Sequence, residues 1–221
     1  MRKLIMFLIV LVVLLVAVDR VAVAGVERDL ANRIAASANL SGTPTVTIEG
    51  VPFLTQALSG RYPEVRFDLG TFTYGDVPVR NLRGAAYDVT APLADVIQNR
   101  PNIRAGRVTV RGTLTRATID KYAPDGVKIG GNGRRLTASG EVTMGVNKVR
   151  FDAELQVEIA DGGIRIRAER VEGLPDQVAG LISYTIPFQG KLPFDVKVTG
   201  VRSVPEGLEF SAEASDVPLR G

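Results

Sequence analysis

The stretch Val149-Arg150-Phe151-Asp152-Ala153-Glu154-Leu155-Gln156-Val157-Glu158-Ile159 alternates an apolar residue with a charged or polar one along its whole length. Successive side chains of an extended chain point to opposite faces, so the segment predicts a strand with one buried and one wet face. Beyond it, Asp161-Gly162 supplies a short turn, after which Ile164, Ile166 and Ala168 alternate with Arg165, Arg167 and Glu169. This turn sets Ile159 opposite Ile164 and Glu158 opposite Arg165. A slip of one residue would bury the charges, so the register is specified.

Working outward, the same logic predicts a second hairpin at the end of the chain. Phe194, Val196 and Val198 share a face, Pro205-Glu206-Gly207 turns, and Leu208, Phe210 and Ala212 return. Gly200 shifts the alternation before Val201, which predicts a bulge. Further strands are predicted over residues 45–48, 65–69, 72–74, 85–91, 108–114, 127–129 and 136–146, mostly joined by short Gly, Asp or Asn turns. Three short helices punctuate them. One starts at Pro52 with Phe53, Leu54, Ala57 and Leu58 and closes at Gly60. A second runs from Pro92 to Gln98, and a third from Pro175 places Val178, Leu181, Ile182 and Thr185 at helical spacing before Pro187. The fold class is α+β, mainly antiparallel β. A sheet with one apolar face must curl on itself or be covered by helices, and either solution encloses an apolar groove.

The amino terminus places this domain. Arg2 and Lys3 precede an apolar run from Leu4 to Val18, and Ala22-Val23-Ala24 stands before Gly25, the pattern of a secretory signal peptide. Residues 1–24 are read as a signal peptide or an N-terminal membrane anchor, and residues 25–221 as one domain. As an anchor the run is short, because fifteen helical residues rise about 22 Å against a hydrocarbon core of about 30 Å. Residues 19–38 continue as an amphipathic helix with Val23, Val26, Leu30 and Ile34 on its stripe. In either case the domain lies outside the cytoplasm, in the periplasm or cell envelope at the outer face of the cytoplasmic membrane.

Composition narrows the chemistry. The chain has no cysteine, so it has no disulfide, thiol lipidation or thiolate metal site, and no histidine, so Ser-His-Asp, Cys-His and His-ligated zinc chemistry are absent. Positive charge is unevenly placed: Arg100, Arg104, Arg107, Arg111, Arg116, Lys121, Lys128, Arg134 and Arg135 face only Asp120 and Asp125 within residues 99–135. Gly130-Gly131-Asn132-Gly133 lacks the spacing of a phosphate loop and reads as a hairpin tip. The carboxylates alternate outward on strands, which suits a solvated face better than a glycosidase cleft. Nucleic-acid binding finds no support in the aromatic and basic pattern.

Val46-Thr47-Ile48-Glu49-Gly50-Val51-Pro52-Phe53-Leu54-Thr55-Gln56, followed by Gly60-Arg61-Tyr62 and Val65, resembles the signature of the LmeA-like family of actinobacterial envelope proteins. Leu192-Pro193-Phe194, Gly207-Leu208 and Ser211-Ala212 add to the resemblance. It implies an exported, membrane-associated phospholipid-binding domain, linked in some members to phosphatidylinositol and to elongation of mannosylated lipoglycans such as lipomannan. It also implies a long curved antiparallel sheet wrapped around a helix, similar to tubular lipid-binding proteins. No catalytic motif is carried over.

From the residues themselves, Phe53, Leu54, Leu58, Tyr62, Leu181 and Ile182 are candidates to line an acyl groove, and equally suit an ordinary core. Arg104, Arg107 and Arg111 are candidates for an anionic headgroup; Arg107, Thr109 and Arg111 share one face of a strand, which also suits a solvated row. The leading function is a non-enzymatic binder of phospholipid at a membrane surface, without cofactor or metal. The other readings are a carboxylate-based envelope glycan hydrolase and a scaffold for a membrane glycosyltransferase.

Overall fold

The computed structural model describes residues 2–37, 40–74, 77–92, 102–131, 135–144, 147–160, 163–172, 183–187 and 196–219. The elements in chain order are α1 (Arg2–Ser37), β1 (Leu40–Ser41), β2 (Thr45–Glu49), α2 (Phe53–Ser59), β3 (Arg61–Tyr74), β4 (Val77–Thr90), β5 (Ile103–Thr115), α3 (Arg116–Tyr122), β6 (Val127–Gly131), β7 (Leu136–Met144), β8 (Asn147–Ala160), β9 (Gly163–Glu172), β10 (Tyr184–Pro187), β11 (Val196–Val204) and β12 (Gly207–Leu219). The fold is mainly antiparallel β with helices, as the alternation predicts. One sheet has the order β1-β3-β4-β5-β12-β11 with β2 added on β3, and the other runs β10-β9-β8-β7-β6. Two compact units result: residues 1–70, 83–109 and 214–221, and residues 71–82 and 110–213. Strands β3, β4, β5 and β12 each contribute residues to both.

In the second unit, β8 and β9 pair in the predicted register, Ile159 opposite Ile164 and Glu158 opposite Arg165. Phe151, Ala153, Ile164 and Ile166 are buried, each 3% exposed or less. Full burial of each large apolar side chain contributes about 1.5–3 kcal/mol, counted as an upper estimate. The register slips once: Leu155 lies opposite Ala168 whereas Glu154 lies opposite Arg170, so Glu169 is the extra residue of a bulge. On the wet face, cross-strand ion pairs join Arg150 to Glu141, Arg135 to Glu154 and Arg167 to Glu158. The last is a diagonal contact, because Arg167 stands opposite Gln156 in the ladder.

This sheet is a curled half-barrel. Ile119 of α3 is fully buried in the same cluster as Ile129, Leu136, Phe151, Ile164 and Ile186, so the curl closes over a short helix. The Thr115 hydroxyl caps α3 by accepting from the Thr118 N–H at 3.2 Å, and Asp120 ties it to β6 by accepting from the Ile129 N–H at 2.8 Å. Sequence periodicity does not predict α3. Strands β6 and β7 flank residues 132–134 as an antiparallel pair, as expected for a hairpin. The helical spacing that ends at Thr185 is not followed: Tyr184–Pro187 is strand β10, with Ile186 opposite Ile164. Ile186 is 1% exposed, and filling the barrel core from an edge strand outweighs a local helical pattern. Residues 93–100 and 173–182, which carry the other predicted helical stretches, lie outside the described residues.

In the first unit, α1 runs without a break from the apolar run into the domain. Its packed face carries Asp19, Val23 and Ala31, each under 9% exposed, while Val26, a member of the predicted stripe, is 39% exposed and lies off that face. The helix is turned so that two carboxylates meet backbone donors: Asp19 accepts from the Leu54 N–H and Glu27 from the Ile48 N–H, both at 2.8 Å. Strand β2 buries Val46 and Ile48 and pairs with β3, Ile48 opposite Val65. Helix α2 follows the cis Val51-Pro52 bond and closes at Gly60, whose φ of 65° is the left-handed conformation a helix end requires. Gly70, at φ 64°, lets the two stretches predicted around it join as the single strand β3.

Candidate lipid-binding site

The predicted acyl-groove residues fall into three groups. Phe53, 4% exposed, packs with Val23 and Ile48, and its ring centroid lies 6.2 Å from that of Tyr62. Leu54 and Tyr62 are half-buried around the same cluster, and burial pushes the Tyr62 hydroxyl above the usual tyrosine range. Leu58 stands apart, 76% exposed. Leu181 and Ile182 lie outside the described residues.

The three arginines all lie exposed on β5. The Arg107 guanidinium lies over the Tyr87 ring at 4.6 Å from its centroid, a cation–π contact. Arg111 sits 3.7 Å from Glu209, which offsets part of its charge. The Arg104 carbonyl accepts from the Thr90 hydroxyl at 3.4 Å, and among the described residues no ring contact singles out its side chain.

Within the second unit the half-barrel opens into a cleft of about 690 Å³, within the range of small-molecule sites. Leu136, Leu155 and Val157 from β7 and β8 and Val201 and Val204 from β11 line it together with Gln156 and Ser203, so aliphatic and polar side chains share its walls. Arg135, Arg202 and Glu169 bring charge to its edge. Arg202 bonds Glu209 at 2.7 Å and Arg135 bonds Glu154 at 2.6 Å, so both guanidiniums are exposed cations held by half-buried carboxylates. The bulge turns Glu169 out of the ladder beside this cleft. Alternation identifies Leu155 and Val157 as inward-facing, and Arg135 belongs to the basic segment, but neither signal brings them to Val201 and Arg202.

The other apolar surface belongs to α1. Its large side chains from Leu4 to Val18 are 39% exposed or more, and the helix is long and apolar enough to cross a membrane, with mean hydropathy 2.9. An N-terminal helix of this kind is compatible with a signal peptide or an anchor.

No curated protein and no solved structure matches the chain. The sequence pattern of one family does, over residues 17–213, and it reaches from the packed part of α1 to the last strand. The chain belongs to the LmeA-like phospholipid-binding family.

Proposed function

We propose that this chain is an exported, membrane-anchored phospholipid-binding protein of the cell envelope, non-catalytic, which holds an anionic lipid such as phosphatidylinositol and so supports elongation or maintenance of lipoglycans such as lipomannan. The observation that carries this reading is the cleft over Leu155 and Val157, in which aliphatic side chains meet the arginines Arg135 and Arg202. Acyl chains gain about 0.8 kcal/mol for each CH₂ removed from water, while a phosphate gains charge-assisted hydrogen bonds at the edge. Arg104 and Arg107 are proposed as additional cations that draw the protein to an anionic surface. Leu181 and Ile182 keep the acyl-lining role proposed from the sequence, and a membrane glycosyltransferase is the proposed protein partner.

The reading is tested by displacement of a fluorescent phosphatidylinositol from the purified protein, with phosphatidylcholine as the competing neutral lipid. Val201→Asp, at a half-buried position of the cleft that also packs on the core, is expected to abolish retention, and a thermal melt beside it separates lost lining from lost packing. Unchanged retention in the folded variant removes the cleft from the account.

A further inference from the structure

We propose that Val51 and Leu58, at the two ends of the α2 segment, form a foot that seats in the membrane leaflet next to the domain, and that residues 1–24 therefore stay on the protein. The proposal rests on α1 crossing that membrane. Among the described residues, Val51 and Leu58 are the only large apolar side chains outside α1 that stand exposed, at 73% and 76%. They belong to a segment without a single charge, residues 50–60, in a chain of which 23% is charged. Exposed apolar side chains on an uncharged surface mark a site of contact with another phase or partner.

Length identifies the phase. The run from Leu4 to Val18 supplies about 22 Å of helix, leaving about 8 Å of a 30 Å hydrocarbon core to be filled. Five further residues of the same helix, 19–23, make up that distance. This is the stretch on which α2 docks: the Leu54 N–H bonds Asp19 at 2.8 Å, and Phe53 packs with Val23. On its free side the helix offers Val21, 74% exposed, and the next charge after Arg20 is Glu27. The hydrocarbon boundary therefore reaches the α2 segment, which carries both exposed side chains. A carboxylate there would be costly in contact with lipid. Asp19 is instead 3% exposed, covered by α2 and bonded to Leu54, and Arg20, whose side chain is 47% exposed, is paired with it.

The same contacts argue for retention. Cleavage after Ala24 would remove Asp19 and Val23, leaving the Leu54 N–H without its carboxylate and Phe53 without part of its packing. The family match begins at residue 17, ahead of that cleavage site, so these residues belong to the shared domain.

The chain has no cysteine, so single labels are unambiguous. In the full chain reconstituted in phosphatidylcholine–phosphatidylglycerol vesicles, an environment-sensitive fluorophore is placed by Val51→Cys, Leu58→Cys, Val13→Cys and Asn32→Cys in turn. Asn32 is an exposed position of α1 beyond the proposed boundary, about 20 Å further along the axis than Asp19. Labels at 51 and 58 are expected to be quenched by doxyl lipids as at 13, and several-fold less by aqueous iodide than at 32. If 13 is shielded while 51 and 58 are as open to iodide as 32, the foot is overturned and the anchor stands. An accessible label at 13, or an intact mass of the membrane-extracted chain that lacks residues 1–24, overturns the anchor and the proposal together.

Discussion

The Asp19 carboxylate accepts a hydrogen bond from the backbone N–H of Leu54 at 2.8 Å, joining positions 35 residues apart. It therefore does for α2 what the residue before the helix does not: Pro52 offers no side-chain cap. Asp19→Ala is expected to lower the thermal midpoint measurably, whereas Asp19→Asn, which keeps an acceptor oxygen, retains most of it. Equal melts for wild type and Asp19→Ala in detergent would contradict the capping role.

The two aromatic and aliphatic positions of α2 separate by burial. Phe53→Ala removes a buried ring and should cost about 3–5 kcal/mol, while Leu58→Ala should change stability by no more than about 0.5 kcal/mol. Denaturant midpoints of the two variants measure this directly.

Charge at β5 acts on the membrane and not on the fold. Arg107→Gln is expected to weaken binding to anionic vesicles several-fold, and added salt to shrink the difference, because an exposed cation is screened over about 8 Å at physiological ionic strength. Binding to neutral vesicles should be unchanged. Equal losses on both surfaces would assign Arg107, stacked on Tyr87, to the fold.

Tyr184 carries a buried hydroxyl without a hydrogen-bond partner among the described residues, and burial together with nearby Asp120 pushes its pKa above the ordinary 10. Because the unfolded chain loses this proton first, the contribution of Tyr184 to stability is constant below about pH 10 and falls as pH rises past it. Tyr184→Phe is expected to raise stability by about 1 kcal/mol at neutral pH and to flatten the alkaline decline. Urea titrations at about pH 7 and about pH 10.5 check both.

The strands were legible where a face had to be both apolar and continuous. In β8 and β9, Phe151, Ala153, Leu155, Ile164 and Ile166 are buried as the pattern requires, and one shift of register inverts it, so turn and alternation fix Ile159 opposite Ile164. Helix α3 is too short for a period to register, and its only marker is the Thr115 cap. Strand β10 is shorter still, and its place depends on the core that Ile186 fills. On α1 the packed stripe follows Asp19 and Glu27, because backbone donors select those carboxylates, and an apolar stripe cannot show this. The cleft joins β7, β8, β9 and β11, so alternation marks its residues as inward-facing without showing which remain uncovered.

The central claim is that this chain carries a phospholipid, and lipid analysis of the full chain purified from its own membrane tests it most directly. Native mass spectrometry followed by extraction is predicted to find one phospholipid per chain, enriched in anionic classes over the surrounding membrane, and lost in Val201→Asp. A chain that carries no lipid, or one whose lipid merely repeats the membrane composition and survives that substitution, would contradict the account.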